Sequence, residues 1–364
     1  MSFWQENKTT SPRAHIAFTF VKMPIVEKRD SEYFRSNAFK DKLFGLQAGD
    51  ETAFSELALE IFHYQSTHNR VYAEWLWHLN IKAKKVENWK QIPYLPIRFY
   101  KTHKIISGDF LAEATFKSSG TAKQTRAVHE VADLGLYHQN SRKIFENRIG
   151  KLCKQPVLAV LPHYLENGDS SLVEMCKHFM EVSGHPFNGF YLNKYRELLE
   201  RLRQLDQQNI TVYLFGVSYA LLDLGQENIA PFTNLKIIET GGMKGRRREM
   251  IREELHEALH KSFGAIEIYS EYGMTELLSQ AYWDQVNGFM SPPWMHISFR
   301  DPRLPLERNF SRDSGCLNIV DLANVHSCAF LATDDVGKRT EKGFEVLGRL
   351  DESDIRGCNL LIAK

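Results

Sequence analysis

Three features of the sequence predict an α/β layered fold with largely parallel strands flanked by helices. Downstream of Pro156, short apolar runs alternate with amphipathic helical stretches. The first ninety residues read as helix, and after about Pro292 the chain reads as strands and turns with no long helix. The expected organisation is a helical part over residues 1–90 packed on the core, an α/β core over 91–347 and a short tail over 348–364.

Taken in chain order, Asp50 can cap a helix in which Phe54, Leu57, Ala58 and Ile61 share one face at i, i+3, i+4, i+7 spacing. A second helical run, Arg70 to Ile81, carries Trp75, Leu76 and Leu79. The segment QIPYLPIRFYKTHKI then breaks the periodicity at Pro93 and Pro96 and leads into extended chain. Four apolar runs follow as strand candidates: VLAVL (157–161), TVYLF (211–215), LKIIE (235–239) and AIEIY (265–269). Between the first two lies a helix at 194–208, with Tyr195, Leu198, Leu199, Leu202 and Leu205 as its apolar stripe. No internal repeat or low-complexity segment interrupts the pattern.

The 364 residues carry 46 Lys and Arg against 45 Asp and Glu, so bulk charge gives no reason to expect a nucleic acid or an acidic membrane as partner. A small or locally charged partner is expected instead. No apolar run is long enough for a transmembrane anchor, and the N-terminus lacks a signal-peptide pattern, so a cytoplasmic location is expected. Five scattered cysteines without a CxxC pair read as free thiols. Cys153, Cys176, Cys316 and Cys328 lie in apolar or periodic segments and are expected to be buried; Cys358, beside Arg356 and Gly357, stands apart.

HEALH, residues 256–260, has the form of a zinc-binding helix. On a wheel of about 100° per residue, however, Leu255, Ile251, Ala258 and Leu259 form the buried stripe. His256 and His260 fall on the polar flank, so a solvated face is expected there rather than a metal site. The basic cluster KGRRRE (244–249) reads either as a solvated helix end or as cations answering a ligand's phosphates where Gly241, Gly242 and Gly245 let the backbone approach closely. FKSSGTAKQTRAV (116–128) packs hydroxyls, a glycine and cations into one loop. That composition suits phosphate oxygens, although alone it could be an ordinary Ser/Thr turn. In YSEYGMTELLSQ (269–280), a strand followed by a turn at Gly273 would present Tyr272, Thr275 and Glu276 together. They offer an aromatic face, a hydroxyl and a carboxylate suited to Mg²⁺. LATDDVG brings Asp335, whose carboxylate could chelate two ribose hydroxyls, and GRLDE brings Arg349.

The order SSGTAKQTR, YGMTE, ATDDVG, GRLDE resembles the adenylate-forming superfamily, which includes acyl-CoA synthetases and phenylacetate:CoA ligases. The chain is most similar to the LuxE-type acyl-protein synthetases, which activate fatty acids for an acyl reductase. The IPYLPIRFYK, NGDSSLVEM, GGMKG and RGC segments add to that likeness, which covers Gln91 to the end. The resemblance implies a layered adenylate-forming large domain with a truncated C-terminal tail. Within it, Ser118, Ser119, Gly120 and Thr121, with Lys123 and Arg126, would meet the phosphates of ATP. Gly241 and Gly242 would line the adenine pocket with Tyr272 against the base. Thr275 would contact the α-phosphate, Glu276 would hold Mg²⁺, and Asp335 and Arg349 would hold the ribose side. Cys358 would take the acyl group as a thioester.

The loop departs from the family in carrying Lys123 where glycine is usual and Arg126 where lysine is usual. Larger members also carry a catalytic lysine in a further C-terminal domain; here either another cation, such as Lys244 or Lys123, takes that role, or adenylation is slow, or it has been lost. The resulting expectation is an ATP-dependent acid activator whose acyl acceptor is an acyl reductase, an acyl-carrier protein or another molecule. Two alternatives stay open: an acid:CoA ligase in which coenzyme A replaces Cys358, and a nucleotide- or acyl-binding partner subunit without turnover. Cys358 as an inert tail thiol and zinc hydrolysis through HEALH are the remaining readings. The aromatic content, 12%, does not choose between fatty and aromatic acids.

Overall fold

The computed structural model describes residues 32–119, 125–162, 168–192, 194–227, 231–241, 250–264, 267–307 and 309–350. Three helices open it: α1 (Asn37–Gly45), α2 (Glu51–His68) and α3 (Arg70–His78). Each starts where a side-chain oxygen accepts an amide that has no intrahelical partner: Ser36 from Phe39, Asp50 from Ala53, Asn69 from Tyr72. The stripe Phe54, Leu57, Ala58, Ile61 is buried, as the periodicity predicts. Helix α3 stops at His78, short of Ile81, because Asn80 adopts a left-handed φ of 59°.

The two prolines of the breaker segment frame a two-residue strand, β1 (Leu95–Pro96), and a 3₁₀ turn, Ile97–Lys101. A hairpin follows, β2 (Ala114–Lys117) and β3 (Val128–Val131), then helix α4 (Leu134–Arg148). The alternating region runs β4 (Val157–Val160), α5 (Ser171–Ser183), β5 (Gly189–Phe190), α6 (Tyr195–Gln207), β6 (Val212–Val217), α7 (Ser218–Leu224), β7 (Leu235–Thr240), α8 (Arg252–Phe263) and β8 (Glu267–Tyr272). The four expected apolar runs correspond to β4, β6, β7 and β8. Strand β5, two half-buried residues at the sheet edge, is too short to leave a pattern in the sequence. The remainder is antiparallel: β9 (Ala281–Asp284), β10 (Gly288–Met290), β11 (Met295–Arg300), β12 (Ser314–Asp321), β13 (Phe330–Arg339) and β14 (Phe344–Arg349).

One twelve-stranded sheet carries all of these except the β2–β3 hairpin, in the order β11-β12-β13-β14-β10-β9-β8-β7-β6-β4-β5, with β1 alongside β13. Strands β5, β4, β6, β7 and β8 are parallel; from β8 to β9 the pairing turns antiparallel. Every residue of β4 and β6 is buried, which explains why these strands read as unbroken apolar runs. Strand order reverses beside β4: β5 lies to one side and β6, β7 and β8 to the other. In open α/β sheets such a reversal leaves a crevice at the carboxyl ends of the strands.

Behind the antiparallel half, the N-terminal helices pack on the connection between β12 and β13. The Gln65 amide donates to the carbonyls of Asn324 and Val325, both at 2.9 Å, and its oxygen accepts from the Ala329 amide at 3.0 Å. Asn69 donates to the Ser327 carbonyl at 2.8 Å. Among the described cysteines, Cys176, Cys316 and Cys328 are buried as expected, but Cys153 is exposed. It sits in the turn before β4, where Leu152 and Pro156 are buried and Lys154 has a left-handed φ of 63°. Among the described residues no helix is long and apolar enough to cross a membrane.

Two stability predictions follow from this packing. Gln65→Leu would leave the buried Val325 carbonyl and the buried Ala329 amide unpaired, while the Asn324 carbonyl keeps the Ser327 amide at 3.1 Å, and should cost about 2–3 kcal/mol. A fall in the urea midpoint with unchanged slope would register it. His296, with its ring 4.8 Å from that of Trp89, is lowered from 6.5 to about 4 by burial first and then by the charges of Arg339 and Lys90, against Glu51. The folded chain therefore binds fewer protons at this residue than the unfolded chain. Its contribution is complete above pH 6.5 and lost as pH falls towards 4. Relative to His296→Phe, the parent should lose up to about 1.4 kcal/mol per pH unit in that window, measured by denaturant titration at several pH values.

Candidate functional site

The crevice is bounded on one side by the β2–β3 hairpin. Lys117, at the end of β2, donates its backbone amide to the Asp169 carbonyl at 2.8 Å and its ammonium to the Asp169 carboxylate at 2.7 Å, which ties the hairpin to the segment after β4. At the hairpin neck the Ser118 amide donates to the Ala127 carbonyl at 3.0 Å, and the Ser118 hydroxyl accepts from the Ala127 amide at 2.9 Å. The Arg126 guanidinium donates to the carbonyls of Ser118 and Lys117. Arg126 thus closes the base of the loop, and Ser119 is exposed beyond it. Gly120, Thr121 and Lys123 lie outside the described residues.

The other side is the segment after β8. Tyr272 ends that strand and is followed by the exposed Gly273. Thr275 is half-buried, Glu276 through Gln280 are buried, and none of them is in regular structure. Buried backbone polar groups need partners, and side chains supply them. His129 of β3 bonds through Nδ1 to the Thr275 carbonyl at 2.8 Å, and Asn324 donates to the Glu276 carbonyl at 2.8 Å. Asn140 of α4 donates to the Leu278 carbonyl at 2.8 Å and itself accepts from the Trp294 indole at 2.8 Å. Asp321 accepts from the amides of Leu278 (3.0 Å) and Ser279 (2.9 Å) and from the Ser279 hydroxyl (2.7 Å).

Strands β13 and β14 add the polar wall. Asp335 and Arg349 are register partners, with the Arg349 Nε 2.9 Å from the Asp335 Oδ1. The Tyr272 hydroxyl donates to the Asp335 Oδ2 at 2.8 Å, while its ring packs on Phe289 and Phe344. Burial and the Asp335 carboxylate keep that phenol protonated. Burial opposes the Arg349 charge, but Asp335 and Glu276 outweigh it and raise its pKa. Burial also pushes the Glu276 carboxyl up from the usual range, against the pull of a backbone hydrogen bond and of Arg349. Among the described residues Glu276 has no ion pair. The structure therefore brings Tyr272, Gly273, Thr275, Glu276, Asp335 and Arg349 together, and the hairpin whose neck carries Ser118 and Arg126 meets this group through His129. Cys358 lies outside the described residues.

The floor holds a second buried network at the carboxyl ends of β6, β7 and β8. Gly241, just after β7, is exposed with a left-handed φ of 62°; its carbonyl accepts from the Ser218 hydroxyl at 3.4 Å. Gly242 and Lys244 lie outside the described residues. Ser218 also donates to Glu239 at 2.9 Å. His256 lies 3.0 Å from the Ser270 hydroxyl and 3.9 Å from the Glu239 carboxylate. Burial opposes ionisation of Glu239, but the His256, Ser270 and Ser218 side chains around it overcome it and lower its pKa. Glu271, half-buried beside it with a hydrogen bond from Thr240, is pushed up by burial to about 7.

This corrects the helical-wheel reading of HEALH. His256 is buried at 3% exposure, its ring edge-on to Trp283, whereas Ile251 is exposed. Helix α8 begins only at Arg252, so Ile251 caps it from outside and the buried face rotates towards β8. Among the described residues no group of three or more His, Cys, Asp and Glu could hold a metal ion. Sequence reasoning missed Asp321, Asn324, Asn140 and His129. Asp321 and Asn324 did leave a signal, since with Asn318 they interrupt the otherwise apolar run LNIVDLANV, where polar residues are retained only with buried partners.

No protein-family model matches the sequence, and no curated protein matches it. Among solved structures the chain is similar to a 2-hydroxyisobutyryl-CoA ligase in complex with 2-HIB-AMP and CoA in the thioesterification state. The TM-score is 0.64 at 13% identity, over 86% of this chain and 71% of that one. The same ligase in the postadenylation state with R3-HIB-AMP gives a TM-score of 0.61 at 13% identity, over 86% of this chain and 70% of that one. The chain has the fold of the adenylate-forming ligases.

Proposed function

We propose that the chain activates a carboxylic acid with ATP as an acyl-AMP and then passes the acyl group on through a thioester at Cys358. The likeness to LuxE-type synthetases supports a fatty acid as substrate. An acyl reductase or acyl-carrier protein is then the final acceptor. The observation that carries the reading is Glu276: a buried carboxylate without an ion pair among the described residues, beside Asp335 and Arg349 at the carboxyl end of the last parallel strand.

Such a carboxylate favours a cation. Mg²⁺ characteristically takes one or two protein carboxylates and completes its shell with phosphate oxygens and water, so a single buried Glu276 fits Mg²⁺ arriving with a triphosphate. There it would offset phosphate charge. Ser118, Ser119, Gly120, Thr121 and Lys123 would receive the β- and γ-phosphates, with Arg126 holding the loop neck. Thr275 would donate to the α-phosphate, and Gly241, Gly242, Lys244 and Tyr272 would surround the base. Asp335, fixed by Tyr272 and Arg349, keeps a second lone pair on each oxygen for the ribose hydroxyls.

The chemistry needs such a site because a free carboxylate offers only oxide as leaving group. Its oxygen attacks the α-phosphorus, the bond to the bridging oxygen breaks, and pyrophosphate leaves with the electron pair. The thiolate of Cys358 then attacks the acyl carbonyl carbon, and AMP leaves with the anhydride oxygen. Donors already fixed around the crevice spare the reorganisation that water would require.

Intact-protein mass after incubation with ATP, Mg²⁺ and a panel of fatty and aromatic acids tests both steps. The expected result is an ATP-dependent, hydroxylamine-labile mass gain that Cys358→Ser lacks, with Glu276→Gln slowing acyl-AMP formation roughly 100-fold. Acyl-AMP formation with no adduct, discharged only by added coenzyme A, would replace the Cys358 step with the acid:CoA ligase reading. ATP binding without any acid-dependent pyrophosphate release would favour a partner subunit without turnover.

A further inference from the structure

A hollow on the surface takes no part in the chemistry proposed above. It is lined by Leu79 and Ile81 after helix α3, Pro93 and Tyr94 before β1, and Pro305 and Leu306 of the loop after β11. A second hollow adjoins it through Ile81 and is lined by Lys82 and Lys85 beside the buried Val86. Together they form one groove, apolar at one end and basic at the other.

Both walls are fixed. Asn80 reverses the chain with its left-handed φ of 59°, and the Ile81 amide donates to the Leu76 carbonyl at 2.9 Å. The amides of Lys85 and Val86 then donate to the carbonyls of Lys82 and Ala83, at 2.8 and 3.0 Å. Across the groove the amides of Leu304 and Glu307 donate to the carbonyls of Asp301 and Leu304, both at 2.9 Å, and Asp301 pairs with Arg303 at 2.8 Å. This tethered loop nonetheless leaves Leu304 and Leu306 each 55% exposed. One exposed leucine is ordinary, but several apolar side chains around one fixed hollow mark an interaction surface. Holding them in place beforehand lowers the ordering cost of binding.

Charge decides what fits. Lys82, Lys84 and Lys85 are exposed and make no ion pair among the described residues. The acid that lines the groove, Glu307, is committed: it accepts from the Asp301 amide at 2.9 Å and pairs with Arg312 at 3.3 Å. Between Leu79 and Tyr94 the sequence holds a single acid, Glu87, and its remaining lysine, Lys90, pairs with Glu51. In a chain whose charges balance overall this is a local positive excess. A bilayer offers a broad surface that does not enter a recess, whereas a side chain projecting from a polypeptide does.

We propose that this groove docks an acidic polypeptide segment of another protein. The segment seats an apolar side chain between Ile81 and Leu306 and sets carboxylates on Lys82 and Lys85. The proposal stands apart from the adenylation reading and survives its failure.

Selection from a displayed library of random peptides on the full-length chain, followed by fluorescence anisotropy with the enriched peptides, tests this. Those peptides should be acidic and carry a large apolar residue. Their affinity should fall about tenfold or more in Lys82→Glu/Lys85→Glu and in Leu306→Ser, and should weaken as salt rises. Lys177→Glu/Lys261→Glu, the same change of charge placed on α5 and α8, should match the parent. No enrichment, enriched peptides that are neutral or basic, or affinities that the groove variants leave unmoved would overturn the proposal. Binding to phosphatidylserine vesicles that the groove variants abolish, with peptide affinity unmoved, would assign the groove to a membrane instead. Because the substituted side chains are exposed, an unchanged unfolding midpoint separates lost docking from lost fold.

Discussion

Burying irregular backbone at residues 275–280 is the constraint on which the rest of the structure depends. Amides and carbonyls there have no strand or helix to satisfy them, and each one left unpaired would cost on the order of 1–3 kcal/mol. Their partners come from β3, α4 and the connection after β12, through His129, Asn140, Asp321 and Asn324. That connection is braced in turn by Gln65 and Asn69 of the N-terminal helices. Three parts of the chain distant in sequence thus converge to hold one loop. Its rigidity lets Thr275 and Glu276 be presented in a fixed geometry rather than on a mobile turn.

The charge arrangement follows from the same burial. With the chain's net charge near zero, the crevice owes its electrostatics to a few groups in low-dielectric surroundings. Burial drives Glu276 and Glu271 towards the neutral form, whereas the polar side chains of His256, Ser270 and Ser218 hold Glu239 below the usual carboxylate range. Asp321 is also pushed up by burial, despite the amides and hydroxyl it accepts.

Much of this was legible in the sequence where a local pattern has one physical cause. Strands β4, β6, β7 and β8 announced themselves because strands buried on both faces must be apolar throughout. Asp50 marked its helix because a cap acts within three residues. Tyr272, Thr275, Glu276, Asp335 and Arg349 could be named as a set, but their spacing said nothing of Tyr272 bonding to Asp335, a contact across 63 residues. The clamps at His129 and Asn140 were invisible because their partners lie 146 and 138 residues away. His256 was misread for a simpler reason: the wheel included Ile251, which precedes the helix, and that one residue turned the apparent buried face away from β8.

Under the proposed function, the residues between the β2–β3 hairpin and the 272–276 loop perform reversible adenylation. Acid-dependent exchange of labelled pyrophosphate into ATP tests it most directly, carried out on the Cys358→Ser chain so that no acyl acceptor on the protein interferes. Exchange should require a carboxylic acid and Mg²⁺ and fall sharply in Glu276→Gln. Exchange that persists undiminished in Glu276→Gln, or ATP binding with no exchange across a broad panel of fatty, aromatic and short hydroxy acids, would contradict it.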